Sequence, residues 1–284
     1  MKKLLYIFIL PITLLLVSCE GDDIEEIIVP VTQSDNFLIG FASNDTSTFK
    51  TIDGGFNWIE VEKTPYYMSF VSADTGYGTN YDNIYKTVDG GWTWNKINDD
   101  NLTLPVSCMS FSSNNIGYAS GWDADKTYKT IDGGVNWFEV NSRWFHSLSF
   151  VSDYVGYGGN LASIYKTVDG GVNWYKISSS YNYCISFPSE GVGYALISQM
   201  SEYYTLVKTI DDGATWTNCA FSAYSENLGW GEKMISFPSE NIGFLSISDQ
   251  YPSFEDNTIY NVNSCEETPV FYSHFKHLCF PKNQ

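Results

Sequence analysis

Arginine is almost missing from this chain: Arg143 is the only one in 284 residues. Lys and Arg together number 15 against 33 Asp and Glu, a formal net charge of -18. Such a surface repels phosphate backbones, whose binding depends on neutralisation by basic groups, so nucleic acid and anionic lipid headgroups are excluded as partners. Acidity names no other partner, because it also simply keeps an exported protein soluble. Histidine is scarce too. His146, His274 and His277 are too few and too scattered for a metal centre, and His274, His277 and Cys279 read as tail rather than as a ligand set. No Gly-x-Ser-x-Gly, Walker loop or Cys-x-x-Cys occurs, so no cofactor is expected. Nor does any stretch hold a 3.6-residue apolar period long enough for a long helix.

What the chain has in quantity is aromatic residues, at 17%, and 23 glycines set mostly in short repeated phrases. That pairing suits many short strands joined by tight turns. The length fits one large all-β domain with a continuous core.

The first residues are an address. Lys2 and Lys3 precede an apolar run from Leu4 to Val17, the layout of a secretory signal and too short for the roughly 20 residues of a membrane span. Leu16-Val17-Ser18-Cys19 resembles the lipobox of bacterial lipoproteins. That resemblance implies cleavage after residue 18 and lipid attachment to the Cys19 thiol. Residues 19–33 read as an acidic tether, similar to the segment behind the lipidated cysteine in surface lipoproteins of the Bacteroidetes type. The expected site is therefore the outer membrane, on the cell surface or the periplasmic side, held through the lipid.

Residues 34–284 are dominated by a repeat. Thr51-Ile52-Asp53-Gly54-Gly55-Phe56-Asn57-Trp58 recurs as TVDGGWTW at 87–94, TIDGGVNW at 130–137, TVDGGVNW at 167–174 and TIDDGATW at 209–216. Its members are thus Asp53 and Trp58, Asp89 and Trp94, Asp132 and Trp137, Asp169 and Trp174, and Asp211 and Trp216. Upstream of the phrase, Ser-Phe recurs at 69–70, 110–111, 149–150, 186–187 and 236–237, followed by Gly-Tyr or Gly-Phe. Each unit reads as four short antiparallel strands, one blade of a β-propeller. The Asp is expected to brace the turn by accepting backbone N–H groups one or two residues ahead. The glycines supply positive φ, and Trp covers the hairpin with its indole N–H free to meet a carbonyl. Asp212 replaces one glycine, tolerably, because Asp enters the left-handed region more readily than most residues.

The phrase resembles the Asp-box of sialidases and other propellers. With its Gly-Gly and preceding Tyr-Lys-Thr, it is most similar to the photosystem II assembly and stability factor family and its bacterial relatives, over roughly residues 36–263. That resemblance implies a propeller, and in general terms a scaffold that binds a protein or peptide during assembly of a membrane complex. The flanks count six units, at about 36–62, 66–98, 105–141, 143–178, 181–220 and 232–263, both terminal ones incomplete. Six blades are favoured, with seven and five as alternatives. Merging the two ends would give five full blades and a composite.

Five repeated aspartates suggest catalysis or calcium, but each belongs to its own turn around a ring. No two should meet as a catalytic carboxylate pair, and one carboxylate per loop is too little for calcium. A sialidase holds its substrate with three arginines, and this chain has one. Two functions follow: a scaffold for an envelope protein or peptide, or, as the alternative, a glycan-binding protein or glycoside hydrolase with a carboxylate pair. The candidate ligand patch lies just upstream of the Ser-Phe strands: Tyr66, Tyr67, Arg143, Trp144, His146, Tyr181 and Tyr183. With Cys19 lipidated, five thiols remain. Cys265 and Cys279 are a plausible disulfide across the tail, and at least one thiol stays free or pairs with another chain.

Overall fold

A computed structural model describes residues 39–43, 48–53, 57–61, 65–80, 83–97, 106–121, 125–200, 203–224, 233–247, 258–263, 266–268 and 277–279. Among these there is no helix. The strands form antiparallel sheets of four.

Three strands open the propeller: β1 (Gly40–Ser43), β2 (Thr48–Thr51) and β3 (Ile59–Val61). A sheet follows from β4 (Tyr67–Phe70), β5 (Gly76–Thr79), β6 (Ile84–Thr87) and β7 (Asn95–Lys96). Next come β8 (Cys108–Phe111), β9 (Gly117–Gly121), β10 (Lys126–Thr130) and β11 (Phe138–Asn141). The same order recurs in β12 (Ser147–Phe150), β13 (Gly156–Asn160), β14 (Ser163–Thr167) and β15 (Tyr175–Ser178). It recurs again in β16 (Asn182–Ser186), β17 (Gly193–Met200), β18 (Tyr203–Thr209) and β19 (Thr217–Tyr224). The last contiguous set is β20 (Lys233–Ser236), β21 (Ile242–Ile247), β22 (Thr258–Asn263) and β23 (Glu266–Thr268), before the closing β24 (His277–Cys279).

Five sheets are thus built from contiguous sequence, and a composite joins β24 to β1, β2 and β3. The favoured count of six is thereby corrected to five complete blades, with the incomplete opening unit finished by the other end of the chain. The opening unit has three strands, and pairing of Phe41, Ala42 and Ser43 with residues 277–279 supplies its fourth. Joining the two chain ends in one sheet covers an edge that would otherwise stand open.

Strand four of each unit lies outermost, and the Ser-Phe strands β4, β8, β12, β16 and β20 lie innermost, with β24 touching both β20 and β4. The repeat owes its composition to the seams between sheets. Ser69 Oγ accepts the Phe111 N–H at 2.9 Å, and Ser110, Ser149 and Ser186 do the same for Phe150, Phe187 and Phe237 at 2.8, 2.9 and 3.0 Å. Beside each serine stitch, aromatic rings stack across the seam. Tyr77 lies on Phe111, Tyr118 on Phe150, Tyr157 on Phe187 and Tyr194 on Phe237, with centroids 3.5–3.7 Å apart. These rings are fully or almost fully buried, and such pairs add to their area term. The tyrosine hydroxyls then cross to the next unit's loop, Tyr118 Oη donating to Asp153 O at 2.8 Å and Tyr194 Oη to Glu240 O at 2.6 Å. In these four units the lysine before the repeated threonine sits over the tyrosine ring of its own sheet, as Lys129 does over Tyr118 at 5.1 Å and Lys208 over Tyr194 at 5.2 Å.

Glycine before each tyrosine makes room for the phenylalanine. A Cβ built on Gly193 would come within 2.2 Å of the Phe187 ring. Only a residue without a side chain allows that approach.

Candidate functional site

The repeated phrase builds one end of each hairpin, next to the Phe end of the innermost strand: Gly156 faces both Phe150 and Thr167. In the unit around Asp169, Thr167 Oγ1 donates to Asp169 Oδ1 at 2.9 Å and accepts the Gly171 N–H at 3.0 Å. Asp169 also accepts the Asn173 backbone N–H at 2.9 Å and the Asn173 side-chain amide at 2.7 Å. Asp53, Asp89, Asp132 and Asp211 accept equivalent bonds from Asn57, Thr93, Asn136 and Thr215. The brace therefore reaches four residues ahead and two behind, not one or two ahead as the sequence suggested. The buried threonine hydroxyl closes the near glycine, which leaves the carboxylate for the far side of the turn. Gly170 and Gly171 take φ of 72° and 86°.

The indole N–H of Trp137, Trp174 and Trp216 donates to the second Gly-position carbonyl at 2.9–3.0 Å. Trp94, like Trp137 and Trp174, sets its ring edge-on to the unit's own phenylalanine. Trp58 packs beneath the composite sheet with Phe49 and Phe244. Asp212 does take a positive φ, 63°, and gains a use: its carboxylate accepts Tyr157 Oη and Lys166 Nζ, the latter at 2.8 Å. It replaces the loop carbonyl that serves the equivalent tyrosine elsewhere.

The carboxylates of Asp89, Asp132, Asp169 and Asp211 stay ionised at neutral pH. Burial pushes the Asp89 pKa up, but hydrogen bonds from Thr93, Thr87 and the Trp92 backbone outweigh it and bring it to about 2. Burial is likewise outweighed at Asp132 and Asp169 by bonds from Asn136 and Asn173, and Asp211 is held down first by Thr215. Each acid serves its own turn.

A cavity of about 310 Å³ runs along the innermost strands. Tyr67, His146 and Tyr183 line it at the strand starts, the end opposite the Asp-boxes. Seven serines and the buried thiols of Cys108 and Cys184 line its wall, and its described lining holds no Asp, Glu, Lys or Arg. The other patch residues stand outside it. Tyr181 meets Tyr183 edge-on at 5.3 Å, and Trp144 lies 6.4 Å from the His146 ring. Arg143 stacks its guanidinium 4.3 Å from the centre of the Tyr165 ring, and the Tyr66 N–H is bound to Thr79 O at 3.0 Å. The patch thus divides into three lining residues and a surrounding set.

Both His146 ring nitrogens are buried, and neither makes a hydrogen bond of good geometry. Desolvation lowers its pKa to about 4 against the opposing pull of the Tyr183 and Asn182 backbones, so the imidazole is neutral at pH 7. Burial pushes the Cys108 thiol up to about 12, and its S–H points at Phe145 O and Ser120 O. It is an inert thiol. Cys108 and Cys184 share one repeat position, three residues before the Ser-Phe phenylalanine, and the sequence shows that offset, but not that they and the serines form the wall of the cavity. Among the described residues no group of three or more His, Cys, Asp or Glu could hold a metal, and no helix is long and apolar enough to cross a membrane.

Cys19 and Cys265 lie outside the described residues, as does the Cys279 side chain, so the Cys265–Cys279 pairing falls there too. Cys219, however, is disulfide-bonded.

The fold and its turns define an all-β propeller with Asp-box repeats. No family model and no curated protein matches the chain. Solved structures do. YCF48 bound to D1 peptide is 14% identical, with 87% of this chain and 90% of that one covered at a TM-score of 0.49. The GH74 enzyme of Niastella koreensis is 15% identical over 81% of this chain at a TM-score of 0.54, and this chain covers 43% of its length. A protein from Lactobacillus plantarum is 10% identical over 87% of this chain and 99% of its own, at 0.51. At these identities the likeness is one of fold.

Proposed function

We propose that the chain is a lipid-anchored binding protein of the outer envelope, a β-propeller closed by its own C-terminal strand, which takes a peptide or protein segment at the axial mouth. One observation carries this reading: the mouth is ringed by Tyr67, His146 and Tyr183, while the described cavity lining holds no carboxylate. Glycoside hydrolysis needs two carboxyl groups about 5–9.5 Å apart. Binding needs aromatic surface and a few fixed polar groups, which the tyrosines, the neutral imidazole and the serine hydroxyls supply.

A second reading has its own support. The likeness to the GH74 fold reaches a TM-score of 0.54, and Tyr181 and Tyr183 form an edge-on aromatic pair on which a sugar ring could stack. On this reading the mouth binds a glycan.

Peptide and glycan arrays probed with the mature chain separate the two, followed by titration of the best hit against Tyr183→Ala and Tyr67→Ala. Peptide binding weakened at least tenfold by either change supports the scaffold; a loss of about 1.4 kcal/mol is that size. Glycan binding lost in the same variants would favour the second reading. Capture unaffected by both changes would place the site elsewhere.

A further inference from the structure

Thirteen large apolar side chains are markedly exposed among the described residues; nine of them sit in the turns and loops of the Asp-box end, and Ile59, Phe138 and Tyr175 lie on the outermost strands. Only Tyr181 belongs to the mouth. The core of the set is one residue per unit, between the Thr and Asp of the phrase: Ile52, Val88, Ile131, Val168 and Ile210, exposed by 52–75%. Because Thr51, Thr87, Thr130, Thr167 and Thr209 are buried, strand alternation turns the next side chain outward at every box. Trp92 and Tyr154 add aromatic surface at the same end. Apolar groups repeated around a ring are more than the scattered exposed residues of an ordinary surface.

Two further observations select the occupant. The chain enters the propeller at this same end, since Gly40 at the start of β1 lies opposite Thr51, two residues before Asp53. From Cys19 to Gly40 the chain has 22 residues, at most about 75 Å when fully extended. The five box carboxylates share the face, each held in its turn, and they oppose an anionic surface.

We infer that the Asp-box face is a membrane-docking face, which rests the ring of Ile and Val side chains on a neutral, zwitterionic lipid surface and turns the axial mouth outward. It rests on the envelope reading for the identity of that surface. Aromatic and aliphatic side chains enter the interfacial zone while charged groups remain among the headgroups. One lipid chain gives only reversible attachment, and a second contact makes it durable.

The test uses the mature chain, residues 19–284, with Cys19→Ser so that no lipid assists. Sedimentation with phosphatidylcholine vesicles is compared with vesicles containing about one-third phosphatidylglycerol, for this protein and for one also carrying Ile52→Thr, Val88→Thr, Ile131→Thr, Val168→Thr and Ile210→Thr. Partition into phosphatidylcholine is expected, weaker with the anionic lipid and reduced about tenfold or more by the five changes. Amide exchange of the protein without the five changes provides the same answer independently of their folding: vesicles should slow exchange at the box turns and leave the starts of β4, β12 and β16 unaltered. Absent partition, partition indifferent to the five changes, or binding that grows with anionic lipid would overturn the docking face. Ring-dependent self-association in place of lipid binding would also overturn it. Since the mouth is assayed on arrays without lipid, peptide capture without vesicle partition would overturn the docking face alone.

Discussion

At the scale of single residues, the repeat is a set of solutions to one packing problem. Phe187 lies between the backbone of Gly193 in its own sheet and the Tyr157 ring of the sheet before. Gly193→Ala would drive a methyl group into that ring, and overpacking of this kind costs about 1–3 kcal/mol, measurable as a lower urea midpoint with an unchanged slope. The sequence made these residues visible as a period. It could not say that the tyrosine of one unit serves the phenylalanine of the next, because that pairing exists only after the sheets assemble. His146 poses a different residue-scale question. Its pKa is 6.5 unperturbed and about 4 when folded, so the unfolded chain takes up a proton before the native one does. Stability contributed by the neutral imidazole is complete above pH 6.5 and declines as pH falls to about 4, by roughly 3 kcal/mol in all. Denaturant melts across that window should show the decline in the wild type and not in His146→Gln.

At the scale of the element, the hairpin turn was legible early and its wiring was not. Asp, two glycines and Trp at fixed offsets announce a tight turn. That the carboxylate reaches the N–H four residues on follows from the buried threonine hydroxyl, which already satisfies the nearer glycine. The same wiring gives a second pH effect with the opposite origin. The folded pKa of Asp89 lies near 2, below its unfolded value, so its contribution is present above the ordinary carboxylate range and is lost as pH drops towards 2. Asp89→Asn keeps the shape but gives up the charge-assisted bonds. It should lower stability at neutral pH and flatten the acid limb of the stability curve, read from guanidinium melts between pH 5 and pH 2. The candidate site was only half legible at this scale. Offsets before Ser-Phe located Tyr67, His146 and Tyr183 at the mouth, but the same offsets could not tell that Arg143 is used up on the Tyr165 ring.

At the scale of the molecule, the repeat foresaw a propeller and the incomplete units at both ends suggested that they complete one blade, but the closing strand itself carries none of the repeat's signatures. Pairing with β1 is what recruits residues 277–279, and no local pattern encodes a partner more than two hundred residues away. Circular symmetry also divides the labour. One end of the ring holds the uniform turns and the exposed aliphatic residues, and the other holds the aromatic mouth. That division requires each acid to act alone in its own sheet, which additivity can test: unfolding free energies of Asp89→Ala, Asp132→Ala, Asp169→Ala and Asp211→Ala, singly and in pairs. Independent braces predict a measurable loss for each and pair values that sum to within about 0.5 kcal/mol. Coupling well above about 1 kcal/mol between acids of different sheets would mean that they share a site, and would contradict the account.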